Sequence, residues 1–218
     1  AEVEKIKELP DIQSCIIYQK AEASCQIEEQ RQSDELLSLG GIETAAGSRI
    51  ARKGDNYQVK APIIIMDDES FFDYCRQIGQ EPNLSGTIAL NRIWDSTNSH
   101  FRNKKYVPFV KEEKQKITLY AKDGTPVHIP VLAYTQKVPA LREEYENYAF
   151  VQFMPLSFWR HIADQIDGER GVTYIRILGK DGIRLEECYM LEQKVTDLLE
   201  PIYDVESENR IQEQRSNK

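Results

Sequence analysis

The residues best suited to acid–base or metal chemistry near neutral pH are three histidines, His100, His128 and His161. They are scattered. His161 lacks HExxH spacing, and no Cys/His pair has zinc-finger spacing, so no metal site is assigned. Asp67-Asp68-Glu69 is a run of carboxylates, but it lacks the alternating order of a calcium loop. Ser70 follows and an apolar helical face opens at Phe71, so the run reads as a helix cap. The neighbours in Glu143-Glu144 and in Glu186-Glu187 do not face each other on a helix and read as solvated faces. The chain contains no GxGxxG, no GxxxxGK[ST] and no GxSxG elbow. No catalytic residue and no cofactor is assigned. The chain is expected not to be an enzyme, and by itself not to hydrolyse ATP.

Two stretches rise above that background as binding candidates. Residues 94–110 interleave Trp94, Phe101, Tyr106 and Phe109 with Arg102, Lys104 and Lys105. Aromatics and arginine are enriched at binding hot spots. A basic cluster on an acidic chain favours an anionic partner such as a lipid headgroup, a cell-wall polymer or an acidic protein surface. The competing reading tucks these aromatics into a core. The second stretch is Leu185, Cys188, Leu191, Val195, Leu198 and Ile202, spaced three and four apart. That stripe reads as a core face of the longest helix.

The totals narrow the classes. The chain has 218 residues, enough for one large domain or two small ones. Its net charge of −8 argues against a nucleic-acid partner, which needs basic surface to neutralise phosphates. No apolar run approaches the roughly 18–20 residues of a membrane helix. Residues 1–9 are charged and amphipathic, unlike a secretory leader. A soluble chain, or a soluble piece of something larger, is expected.

Elements follow from pattern. Residues 1–9 form a short helix with Val3 and Ile6 inward, stopped by Pro10. Residues 12–27 read as one long strand. Ser33 caps a turn holding Leu36, Leu37 and Leu39, and Gly40-Gly41 ends it; the rest up to residue 56 reads as loop or the start of a strand. Residues 57–94 are the organising unit, strand–helix–strand: Val59 to Met66, then a helix with Phe71, Cys75 and Ile78 on one face and Gly79 at its end, then Thr87 to Leu90. Asp123-Gly124 turns a hairpin between residues 116–122 and a return strand. Pro126 and Pro130 place that return strand at a sheet edge. Residues 148–154 form a strand, and Trp159, Ile162, Ala163 and Ile166 line one face of the helix after it. Residues 172–178 make a further strand, before the long helix over 185–200. A last short strand is expected at 203–205, and from Glu206 the tail is polar.

The strings VKAPIIIMDDESFFDYCRQIG, GTIALNRIWDS with its Asn91, ITLYAKDGTPVHIPVLAYTQ and YAFVQFMPLSFWRHI carry a resemblance. In that order they resemble the extracytoplasmic domain of FtsX-like/MacB-type ABC transporter permeases. The resemblance implies an α+β fold in two subdomains: a membrane-proximal, β-α-β porter-like part over 1–27 and 138–210, and a membrane-distal, mostly β Sabre-like insertion over 28–137. Residues 211–218 would lead to a membrane helix, and a strand would precede residue 1. Both termini would lie on one side of the molecule. The implied role is non-catalytic: engaging cargo, a cell-wall or lipid-linked molecule or a partner protein at the extracytoplasmic face of the cell membrane, while a cognate ATP-binding subunit drives motion. The rival reading is a free-standing α+β ligand-binding module, with a hydrolase a distant third.

Four cysteines, Cys15, Cys25, Cys75 and Cys188, include no CxxC pair. On one continuous strand Cys15 and Cys25 would stand about 33 Å apart, far beyond the roughly 7 Å between Cα atoms that a disulfide spans. Titration of denatured, unreduced protein is therefore expected to find four thiols; finding none would refute the unbridged assignment.

Overall fold

The computed structural model describes residues 2–95, 105–113, 115–141, 145, 148–166 and 173–199. Among these are twelve strands and six α-helices, so the fold is α+β. The chain divides into two compact units, Ile17–Tyr174 and the pair Ala1–Ile16 with Ile175–Lys218.

The larger unit is built around the strand β5 (Ile63–Met66), buried at every position, and the helix α4 (Asp68–Gln77) after it. The acidic run between them makes that junction. Asp67 is the N-cap of α4, one carboxylate oxygen accepting from the Ser70 amide at 3.1 Å. Its other oxygen accepts from the Ile17 amide at 3.0 Å, while its own amide donates to the Ile17 carbonyl at 3.0 Å. One residue thus caps a helix and continues the pairing of β5 with β1 (Ile12–Ala21). Asp68 accepts from the Ser157 amide at 3.0 Å, in the first turn of α5 (Leu156–Ile162). Pro155, at the cap position of α5, makes no side-chain cap, so the neighbouring helix's carboxylate supplies one. At the far end of α4, Gly79 has φ +75°, and the Gln80 amide reaches back to the Cys75 carbonyl at 2.9 Å. That is the left-handed termination expected of glycine there.

Strand order in this unit is β1-β5-β11-β6-β10-β9-β2-β4-β3. The remaining members are β2 (Ser24–Glu28), β3 (Ala51–Lys53), β4 (Asn56–Lys60), β6 (Thr87–Leu90), β9 (Lys116–Tyr120), β10 (Pro126–Thr135) and β11 (Gln152–Pro155). β11 runs parallel to β5 and antiparallel to β6. The two strands flanking α4 are therefore antiparallel and separated by β11, not adjacent and parallel. α2 (Asp34–Ser38) and α3 (Gly41–Ala46) cover the inner side of this unit through Leu36, Ile42, Ala45 and Ala46.

Several expectations are corrected. The strand expected over 12–27 is two strands, β1 and β2, parted at residues 22–23. The apolar run from Val59 is likewise broken at Ala61-Pro62 into β4 and β5. Beyond Gly40, residues expected as loop or strand form α3, which begins on a left-handed Gly40 at φ +99°. β10 lies between β6 and β9 rather than at an edge. The prolines fit for a local reason. The Val131 amide donates to Gln115 of the β9 side at 2.7 Å. Alternation then turns the nitrogens of Pro130 and Pro126 to the other side. The ladder there, with β6, begins only at Val131.

The expected division at 27/28 and 137/138 is not where the contacts part. β11 lies in the range expected for the porter-like part. It is hydrogen-bonded between β5 and β6 of the expected insertion.

The smaller unit holds α1 (Glu2–Lys7), the start of β1, most of β12 (Tyr174–Gly179) and α6 (Leu185–Leu199). β12 neighbours β1. Ile6, Cys15, Val195 and Leu199 form its buried centre, with Val3, Leu191 and Leu198 packed against it. Of the helical stripe expected over 185–202, Leu191, Val195 and Leu198 thus face a core, while Cys188 is half-buried. Residue 1 and residues 200–218 lie outside the described residues, and with them the expected strand at 203–205 and the placement of the termini.

All four cysteines are described, and none is in a disulfide. No described helix is long and apolar enough to cross a membrane.

Asp67→Ala removes a cap and a cross-element acceptor together. A helix cap is worth about 0.5–2 kcal/mol, and a buried amide left unpaired costs about 1–3 kcal/mol. Urea denaturation is expected to show a loss of about 2 kcal/mol or more, with Asp67→Asn intermediate because one acceptor oxygen remains. A loss under about 0.5 kcal/mol would remove Asp67 from its central place.

Candidate functional site

The described part of the 94–110 stretch is a small two-stranded sheet, β7 (Ile93–Trp94) with β8 (Tyr106–Val107). Its register pairs Ile93 with Val107 and Trp94 with Tyr106, and the Asp95 amide donates to the Lys105 carbonyl at 2.9 Å. Side chains alternate across such a pair. Ile93 and Val107 enter the core, while Trp94 and Tyr106 sit half-buried on the other face.

Each of these aromatics carries a guanidinium. The Arg92 carbon stands 4.0 Å from the Tyr106 ring centre, and that of Arg49 stands 5.4 Å from the Trp94 ring centre. Arg49 is held in turn by the end of α3. Its Nε donates to the Ala46 carbonyl at 3.1 Å, and its Nη2 donates to Ala45 at 3.0 Å and Trp94 at 3.3 Å. A cation there satisfies carbonyls that the helix leaves open. Lys105 is exposed beside the pair, and exposed Lys60 and Tyr148 border it. The hollow among Ala46, Arg49, Ile50, Trp94 and Tyr148 encloses only about 30 Å³. It suits a flat contact, not a bound small molecule.

A buried clamp holds this surface. Asn91 is 1% exposed. Its side-chain oxygen accepts from the Phe109 amide at 3.0 Å and the Val110 amide at 2.9 Å, and its nitrogen donates to the Val110 carbonyl at 2.9 Å. Its own amide donates to Thr135 of β10 at 2.7 Å. The asparagine therefore acts as a short strand for the segment leaving β8. Ser33 adds a second tie, its amide donating to the Phe109 carbonyl at 3.2 Å.

The sequence-stretch candidates divide accordingly. Trp94, Lys105 and Tyr106 come together at one surface. Phe109 does not belong to it. Its side chain is fully buried, its ring edge-on to Phe150 at 5.7 Å, because Asn91 and Ser33 draw its backbone inward. Phe101, Arg102 and Lys104 lie outside the described residues. Arg49, Arg92 and Asn91 are the participants that spacing alone does not reveal. Arg92 and Asn91 adjoin β7 in the chain, but Arg49 reaches it only through α3.

Of the histidines, His128 is exposed with its Nδ1 2.9 Å from the Thr118 hydroxyl, His161 is exposed, and His100 lies outside the described residues. Among the described residues no three His, Cys, Asp or Glu side chains gather closely enough to hold a metal ion. Burial pushes the Cys25 thiol up to about 12, an effect Arg31 partly opposes.

No protein-family model matches the chain, and no curated protein or solved structure is similar to it.

Truncating Phe109 or Asn91 should unfold more than the surface. Phe109→Ala is expected to cost about 3–5 kcal/mol, and Asn91→Ala about 2 kcal/mol or more for the two amides it strands. Lys105→Ala is expected to stay within about 0.5 kcal/mol. Urea midpoints for the three variants check this; a Lys105 effect as large as that of Phe109 would overturn the assignment of core and surface.

Proposed function

We propose that the chain is the non-catalytic extracytoplasmic domain of an FtsX-like/MacB-type ABC transporter permease, and that the β7–β8 surface engages its cargo or partner. The permease setting rests on the resemblance of the strand–helix, Asn91-strand, hairpin and re-entry strings. The contact role rests on one observation: Trp94 and Tyr106 paired across two strands, each under a guanidinium, with Lys105 exposed beside them. Held rings bury large area on binding at low entropic cost. Arg49, Arg92 and Lys105 give the surface a positive sign on a chain of net charge −8. An anionic partner complements it: a lipid headgroup, a cell-wall polymer or an acidic protein surface. Phe101, Arg102 and Lys104 remain candidates from the sequence and lie outside the described residues. In this reading, ATP-driven motion of membrane helices reaches the domain, and the surface takes up or releases the partner as the domain moves.

Two measurements test the two halves. The parent reading frame is expected to continue past Lys218 into an apolar span of about 20 residues; a polar continuation to a stop codon would sink the permease setting. In the parent transporter, Lys105→Glu with Tyr106→Ala should weaken partner-dependent activity several-fold while lowering the unfolding free energy of the isolated chain by no more than about 1–2 kcal/mol, the order expected for a half-buried ring that loses a cross-strand partner and an overlying cation. Unchanged activity in a well-folded variant would refute the contact role.

A further inference from the structure

The sheet of the larger unit has a window in it. β2 and β9 meet at a single ladder position, Ser24 with Tyr120. The next antiparallel pair would be Gln26 with Thr118. The Ala61 amide donates to the Ala23 carbonyl at 2.9 Å, so alternation along β2 turns the main-chain groups of Gln26 away from β4 and toward β9. The Val131 amide donates to the Gln115 carbonyl at 2.7 Å, so the same alternation turns those of Thr118 away from β10 and toward β2. Their amides and carbonyls thus face each other across a gap in which no ladder forms. The strands close again farther on. The Lys111 amide donates to the Arg31 carbonyl at 2.9 Å, and Gln32 bridges to Val110.

The gap is a cavity of about 190 Å³, lined among others by Gln26, Arg31, Lys116, Thr118 and Phe150. A single water needs only roughly 10–15 Å³ of such space. Arg31 is the notable member. Its Nη2 donates to the Tyr134 hydroxyl at 2.9 Å, while its Nε is buried and, among the described residues, has no partner. A buried donor left unpaired costs about 1–3 kcal/mol. The charged lining groups are Arg31, Lys116 and Glu28, a net charge of +1, with Glu112 acting on Tyr134 from outside the lining.

We propose that this window binds a compact monocarboxylate that carries a peptide-type amide, of the class of N-acyl amino acids or peptide C-termini. The carboxylate meets the planar fork of Arg31, the geometry for which guanidinium is matched. The amide meets the main-chain groups of Gln26 and Thr118, which are complementary to an extended amide. Phe150 and Ile117 supply an apolar floor for a short side chain. A through-running strand does not fit, because hydrogen bonds close the window at both ends. A dianion fits the single net charge poorly. The inference rests on the β2–β9 gap and is independent of the permease setting.

The test is a titration of the ¹⁵N-labelled chain with N-acetylglycine, acetate and inorganic phosphate, followed by amide and Arg Nε–H resonances. N-acetylglycine should give saturable shifts at Gln26, Thr118 and the Arg31 Nε–H, with acetate weaker and phosphate weaker still. Arg31→Lys keeps the charge and loses the fork, and should weaken binding about tenfold or more. Lys116→Gln, at an exposed position, should weaken it several-fold and serves if Arg31→Lys does not fold. A tetrapeptide with a free C-terminus binding like N-acetylglycine, and its amidated form not binding, would assign the ligand to chain ends. Exclusion of both tetrapeptides would assign it to free acyl amino acids. Shifts absent, scattered over surface lysines, indifferent to both variants, or equally strong with phosphate would overturn the proposal.

Discussion

Two adjacent carboxylates hold the larger unit together. Asp67 binds β1 to the start of α4, and Asp68 caps α5 from outside. Helix starts expose amides that need acceptors, and carboxylates there also meet the favourable end of the dipole. Because β5 and β11 run parallel and end opposite each other at Met66 and Pro155, both helices begin at the same end of these strands, and the pair serves both. An interaction of this kind sets positions as well as contributing stability. With α4 and α5 seated, Phe71, Tyr74, Trp159 and Ile162 can bury against the strands.

A second buried polar device sets the surface. Asn91 stands where β6 has ended and carries the pairing on through its side chain. That arrangement draws Phe109 under the sheet and leaves Tyr106, three residues earlier, outside with Trp94. Asn91, with Ser33 holding the Phe109 carbonyl, thus separates the core ring from the surface ring. Arg49 and Arg92 then lie over the two rings, where a planar, weakly hydrated guanidinium stacks better than a lysine ammonium would. The rings are held by backbone pairing below and cations above.

The sheet itself is interrupted at several points. β1 passes to β2 at residues 22–23, β4 to β5 at Ala61-Pro62, and β10 changes partner at Val131, from β9 to β6. These breaks allow one chain to serve two stretches of ladder. They also explain the gap between β2 and β9, where strands meeting at Ser24 and Tyr120 diverge before they close again at Arg31 and Lys111.

Much of this was legible in the residues. The cap at Asp67, the left-handed end at Gly79, the hairpin at Asp123-Gly124 and the faces of α4 and α5 are local, set by side-chain type, backbone freedom and a period of 3.6. The sequence by itself determined those elements, the α+β class and the acidic charge against which a basic patch stands out. It could not determine where strands break or which ones pair, because apolar runs such as 59–66 read alike whether straight or bent. It could not separate Tyr106 from Phe109, since neither lies in a periodic element. Nor could it show that Arg49 reaches Trp94, or that Arg31 lines a window between β2 and β9. Those were decided by tertiary structure, because hydrogen-bond partners distant in the chain determine which side chains are buried and which are left at a surface or a cavity.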